Sequence, residues 1–182
     1  MTLDETRLLL NTAKLPRDVA LLWCLAYGLR IAETTALEIG DVVAPNGSGM
    51  GSLMVRGKGN KARTLPICAE AHDAISSYVS GRTDGAVFRV LDGSRPMGTA
   101  AIQKRFKKLA REAGIPPAKR HPHCLRHGFA TRMLFDTKTI GGIYTVSKLL
   151  GHSRVATTEM YLHCSQDQLE QAMLADPLGA GV

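Results

Sequence analysis

Apolar positions recur at helical spacing along most of the chain and alternate at strand spacing over one short stretch. Thr2 with Glu5 three positions later is a capping-box signature, and Leu3 and Leu8-Leu9-Leu10 supply the apolar face of a first short helix. Pro16 opens a second helix that runs through Val19, Leu22, Trp23 and Ala26 to a stop near Gly28. A third helix is expected over roughly residues 31–37. After the loop at 45–49, segments 52–56 and 62–66 flank Gly57-Lys58-Gly59-Asn60-Lys61, which reads as a hairpin with lysine at its tip.

Further along, the pattern predicts a helix over about 69–79, a turn at 81–85 and a short strand at 87–90. From 99 to 114, Ile102, Phe106, Leu109 and Ala113 form an apolar stripe, while Lys104, Lys108 and Arg111 form a basic one on another face. Pro122 and His123 introduce a helix over 125–134. Gly141-Gly142 breaks the chain before a helix at 144–150, which Gly151 closes. Helices at 156–161 and 166–173 precede a Pro/Gly-rich end. No repeat or interdomain linker interrupts this order. The expectation is a mostly α fold with a small antiparallel sheet (α+β), one domain over 1–182, and a C-terminal tail at about 165–182.

A length of 182 residues suits one domain with a real core and is too short for two. Only 5% of residues are aromatic, which argues against a surface built on ring stacking. The net charge of +7 is unevenly spread: residues 1–91 hold 10 basic and 9 acidic side chains, residues 92–182 hold 13 and 7. That asymmetry favours an anionic partner. No segment approaches the roughly 18 apolar residues of a bilayer span, and the start lacks a signal-peptide pattern, so no membrane contact is expected. The four cysteines, at 24, 68, 124 and 164, are too widely spaced for a zinc knuckle, and Cys24 reads as core. A reducing, cytoplasmic setting is expected.

Several polar groups sit in patterns that carry chemistry. Arg30 and Glu33, three apart, share a helix face, as a surface ion pair does and as a site does. Gly57-Lys58-Gly59 has the look of an exposed turn and lacks the spacing of a nucleotide-binding loop. His123 and Arg126 share a face at a helix start, close to unpaired amides that favour an anion. His127, beside them, reads as a partly buried structural histidine. A metal site at His123, Cys124 and His127 is disfavoured, because Arg126 would crowd the ion and no carboxylate is near. His152 is followed nine residues later by Tyr161. Two Arg, one Lys, two His and a Tyr suit a phosphodiester: guanidiniums hold its oxygens, imidazoles and a Lys move protons, and a phenol attacks. This chemistry needs no metal and no cofactor.

In order, Arg30, Glu33, Lys58, His123-x-x-Arg126, His152 and Tyr161 resemble the catalytic domain of the tyrosine recombinases, the phage-type integrases. The matching motifs are Gly28-Leu29-Arg30-Ile31-x-Glu33, Gly57-Lys58-Gly59-Asn60-Lys61-x-Arg63, Pro122-His123-x-Leu125-Arg126-His127 and Leu150-Gly151-His152-Ser153 leading to Tyr161. The resemblance implies that Arg30 and Arg126 clamp the phosphate and that Lys58 protonates the 5′-hydroxyl leaving group. It further implies that His123 and His152 hydrogen-bond the scissile phosphate and that Tyr161 forms a 3′-phosphotyrosyl link. Glu33 and His127 would support the site, with Glu33 buttressing Arg30. Lys61 and Arg63 would contact DNA, and the basic stripe of Lys104, Lys108 and Arg111 reads either as a solvated face or as one that tracks the DNA backbone.

The implied partners are double-stranded DNA and further copies of the chain, a tetramer on paired target sites, with the tail packing either on a neighbour or against its own domain. Family members carry a DNA-clamping domain before this one, for which 182 residues leave no room. The chain is therefore expected to be either a fragment or a minimal recombinase. Other departures are Thr34-Thr35 after Glu33 and Gly128 where the family has Thr or Ser. The alternatives are a DNA-binding module of this fold without productive recombination, and a type IB topoisomerase-like enzyme.

Overall fold

The computed structural model describes residues 1–45, 49–57, 62–90, 93–136 and 142–151, without the side chains of 135, 136 and 142–144. Helix α1 (Leu3–Thr12) starts on the expected capping box: the Thr2 hydroxyl accepts from the Glu5 amide and the Glu5 carboxylate accepts from the Thr2 amide. Helix α2 (Pro16–Ala26) begins with proline at its first turn, where a missing N–H costs nothing. It is buried nearly all round, with Ala20, Leu21, Leu22, Cys24 and Leu25 inaccessible, so it forms the centre of the core. Burial pushes the Cys24 thiol up to about 12, so this cysteine stays a neutral packing group.

The same helix buries a charge. Asp18 is fully inaccessible and is held by Arg17 at 3.3 Å and by Arg105, whose Nε donates at 2.9 Å. Arg105 lies on α5 (Thr99–Glu112), so the pair ties α5 to α2. Helix α5 buries Ile102, Phe106 and Leu109, with Ala113 just past its end, as their spacing predicts.

Three strands form an antiparallel sheet in the order β1 (Val42–Val43), β2 (Gly51–Arg56), β3 (Ala62–Ile67). The predicted hairpin is β2–β3, paired from Gly51↔Ile67 through Leu53↔Leu65 to Arg56↔Ala62. Leu53, Val55, Leu65 and Ile67 face inward into the core they share with α2 and α4 (Ala69–Val79), whose bounds match the predicted helix. The strand expected at 87–90 is absent as such. Ala86 and Arg89 make only isolated bridges, to Glu38 and Pro96, because these backbone groups pair with two separate segments. The short strand β1 had no signal in the pattern.

Helix α3 (Ile31–Thr35) is shorter than expected, since the Leu37 carbonyl leaves it to accept from Val87. Helix α6 (His123–Thr131) starts two residues early and passes into a wide turn at Arg132–Asp136 rather than continuing to 134. Helix α7 spans Gly142–Leu150, so Gly142 lies within it. A second apolar cluster of Phe129, Ala130, Val146 and Leu150 joins α6 to α7. Tyr27 connects it to the main core through ring contacts with Phe129 and Trp23.

Candidate active site

The site is assembled where the end of α2, the start of α3, strand β3, helix α6 and the end of α7 meet. Helix α2 closes in a Schellman turn: the Gly28 amide donates to the Leu25 carbonyl and the Leu29 amide to the Cys24 carbonyl. That turn needs Gly28 at φ +82, and a Cβ there would lie 2.9 Å from Phe129 Cδ1 and 3.0 Å from Leu150 Cδ2. Glycine thus lets the turn lie directly against the α6–α7 cluster. Its carbonyl accepts from Arg126 Nη1.

Three arginines converge on the last two carbonyls of α7. Arg126, 5% exposed, donates from Nη2 to the Leu150 carbonyl at 2.9 Å. Arg30 donates from Nη1 to the same carbonyl at 3.3 Å. Arg63 donates from Nε to the Leu149 carbonyl at 2.8 Å. The end of a helix carries partial negative charge and unpaired carbonyls, so guanidiniums are favoured there. Gly151 then turns the chain at φ +65, and a Cβ on it would come within 2.7 Å of Arg63 Nη1. The next residue is His152.

Glu33 is the carboxylate of this cluster. It accepts from the Arg30 amide at 2.8 Å and from Arg30 Nη1 at 2.9 Å, so it caps its own helix while holding the guanidinium. Arg63 grips it with two nitrogens, at 2.9 and 3.0 Å. Burial pushes the Glu33 carboxyl up, but hydrogen bonds and charge from Arg63 and Arg30 outweigh burial and hold it below its ordinary value. It is therefore ionised at neutral pH. Three guanidiniums against one carboxylate leave the cluster with an excess of two positive charges, suited to an anion.

Of the residues picked out in the sequence, the fold brings Arg30, Glu33, Arg126 and Arg63 together. Arg63 was expected on the DNA-contacting surface. Instead its side chain is 12% exposed and its guanidinium is spent on Glu33 and Leu149. A signal was available: Arg63 has the parity of Leu65 and Ile67 in β3 and so points to the core side, where an arginine needs a carboxylate. His123 stands exposed in the first turn of α6. His127 lines a cleft with Met1, Thr2, Leu3, Gly128, Thr131 and Arg132. Burial and the nearby amino terminus lower its pKa, favouring the neutral ring. Gly128 leaves room for the Met1 carbonyl, which a Cβ would strike. Lys104, Lys108 and Arg111 are exposed along α5, which packs against α3. Lys58, Lys61, His152, Tyr161, the helices predicted at 156–161 and 166–173, and the tail lie outside the described residues. Among the described residues, no helix is long and apolar enough to cross a membrane.

Residues 1–168 match the phage integrase family. Tyrosine recombinase XerC of Chromohalobacter salexigens is 37% identical over 163 residues, which are 86% of this chain and 51% of that protein. Tyrosine recombinase XerD of Proteus mirabilis is 36% identical over 163 residues, 85% of this chain and 50% of the relative. The chain thus spans about half the length of these curated relatives. Among solved structures, the crystal structure of XerA recombinase aligns with a TM-score of 0.77 at 33% identity, covering 94% of this chain and 62% of that one. XerH site-specific recombinase bound to difH substrate gives the same TM-score at 23% identity, which speaks to the fold.

Proposed function

The chain belongs to the phage integrase family, and from that premise we propose that it is the strand-cleaving and rejoining domain of a site-specific DNA recombinase. The observation that carries this reading is the meeting of Arg30 and Arg126 on one carbonyl, that of Leu150, two residues before His152. Arg30 keeps 38% of its side chain exposed, and its Nε and Nη2 have no partner among the described residues. Those nitrogens suit a non-bridging phosphate oxygen. With Arg126 they offset the charge that builds as phosphorus becomes pentacoordinate.

In this mechanism the Tyr161 oxygen bonds to phosphorus as the bond to the 5′ oxygen breaks. Lys58 gives that oxygen its proton, and His123 and His152 hydrogen-bond the phosphate and take up between them the proton that the Tyr161 hydroxyl gives up. The product is a 3′-phosphotyrosyl link. A 5′-hydroxyl from the partner strand reverses the step and releases the tyrosine. The arginines supply the electrostatic stabilisation that paired divalent ions supply in many nucleases. The substrate is duplex DNA, and exchange takes place in a tetramer of chains on paired sites.

The test is a nicked suicide duplex whose leaving fragment diffuses away. The protein is expected to accumulate as a covalent adduct on denaturing gels, undiminished by excess chelator. Binding without an adduct identifies a module of this fold without productive chemistry. Cleavage that returns only with a divalent ion contradicts the mechanism.

A second expectation concerns α5. If Lys104, Lys108 and Arg111 track the DNA backbone, each releases roughly 0.9 counterion per phosphate contact. Replacing one by Ala should then lower the salt slope of binding by about 1 on any sequence, and replacing all three should lower it by about 3. Lys108 reaches Glu112 only at 3.8 Å, a loose exposed pair that leaves its charge available. Equal slopes for the wild type and the triple variant would return the stripe to ordinary surface.

A further inference from the structure

Glu33 poses an electrostatic problem for a site that must hold a phosphate. It lies 2.9 Å from Arg30, and a carboxylate facing a guanidinium ordinarily takes it in a two-pronged pair that cancels its charge. Here it does not. Its Oε1 accepts from Arg30 Nη1 and Arg63 Nη1, and its Oε2 accepts from the Arg30 amide and Arg63 Nη2. A carboxylate offers about four acceptor positions, and all four are filled. Arg63 holds the two-pronged geometry, while Arg30 touches the carboxylate through one side-chain nitrogen.

We propose that Arg63 is a positioning residue that saturates the Glu33 carboxylate and thereby keeps Arg30 available to an anionic substrate. The inference rests on the reading of the site as a phosphodiester site. Without Arg63, each Glu33 oxygen regains an acceptor position. A second nitrogen of Arg30 can then swing onto the carboxylate, which turns it from the open side of the site and neutralises it. Arg63 is well fixed for this role: its Nε is tied to the Leu149 carbonyl, and Gly151 leaves no side chain in its way. It begins to act at the second residue of β3, directly after the loop that carries Lys58 and Lys61.

The experiment compares the wild type, Arg63→Gln and Arg63→Gln/Glu33→Gln, each checked for folding by thermal melting. Two quantities are measured: single-turnover cleavage of the nicked suicide duplex and equilibrium affinity for the intact duplex. Arg63→Gln is expected to slow cleavage by about 10²-fold, the scale of a misplaced substrate-holding group. The double variant removes the unsatisfied charge and should cleave about tenfold faster than Arg63→Gln, within the coupling expected of contacting charges. Duplex affinity should follow the same order. A plain brace predicts the opposite, because the second substitution removes still more hydrogen bonding.

A double variant no faster and no tighter than Arg63→Gln overturns the proposal. If the wild type binds duplex but never forms an adduct, the recombinase reading fails, and the order of affinities alone decides the role of Arg63. A wild type that does neither overturns both. Should Arg63→Gln not fold, Arg63→Lys replaces it. One ammonium frees one acceptor on Glu33, so cleavage should fall several-fold and rise again with Glu33→Gln, and no rise again overturns the proposal.

Discussion

Tyr161→Phe is expected to abolish the covalent protein–DNA adduct completely while leaving folding and duplex binding intact. The substitution removes one oxygen and keeps the ring, so only the nucleophile is lost. Two of the other phenols are engaged in hydrogen bonds. Tyr27 accepts a hydrogen bond from the Cys68 amide at 2.8 Å, and burial, with Cys68 beside it, pushes its pKa up to about 12. A half-buried phenol with so high a pKa is a poor nucleophile near neutral pH. Tyr78 accepts from the Arg89 amide at 3.2 Å and stacks on Phe88 with ring centroids 5.8 Å apart. Both hydroxyls hold backbone in place. The measurement is a denaturing gel of the suicide duplex, with a filter or mobility assay for binding in parallel. An adduct of undiminished yield would move the nucleophile to Tyr144 or Tyr78. Lost binding would make Tyr161 a packing residue.

The elements whose signals are local were legible in the chain. The capping box of α1, the proline that opens α2, the parity of β2 and β3, and the apolar stripe of α5 each depend on residues a few positions apart. What escaped was set by distant partners. Nothing near Val87 tells that its amide will bond the Leu37 carbonyl while the Phe88 carbonyl accepts from Met97, so a strand was expected where only bridges form. Nothing near Asp18 tells that Arg105 will arrive from α5 to neutralise it at the heart of the core. The site divides in the same way. Arg30 and Glu33 pair at three residues' separation, which sequence shows. The convergence of Arg30, Arg63 and Arg126 on the end of α7 is a product of packing; motif order pointed to Arg30 and Arg126 and not to Arg63. Arg63 shows the cost of reading a basic residue by its motif alone: grouped with Lys61 it looked like a DNA contact, whereas its strand parity places it on the core side.

Lys58→Ala is expected to slow cleavage of ordinary DNA by roughly 10²–10⁴-fold, the usual range for a lost general acid. Lys58 and Lys61 both lie on the connection between strands whose ends pair at Arg56↔Ala62. That connection leads directly to Arg63, which is bonded to Glu33 and to the Leu149 carbonyl. Lys61 is two residues from this anchor and Lys58 five, and at roughly 3.3 Å per extended residue the chain length permits either to reach the arginine cluster. Proximity therefore does not choose between them, but the leaving group does. A 5′-bridging phosphorothiolate departs as a thiolate, which needs no proton, so it should restore much of the rate to Lys58→Ala and little to a variant impaired in binding. Lys61→Ala should lose affinity and salt dependence, show a near-normal rate at saturating DNA, and gain nothing selective from the sulfur substrate. Single-turnover rates on paired oxygen and sulfur substrates, taken at saturating protein, separate the two effects. If Lys61→Ala is the variant that sulfur rescues, the proton comes from Lys61, and Lys58 is the contact to the backbone.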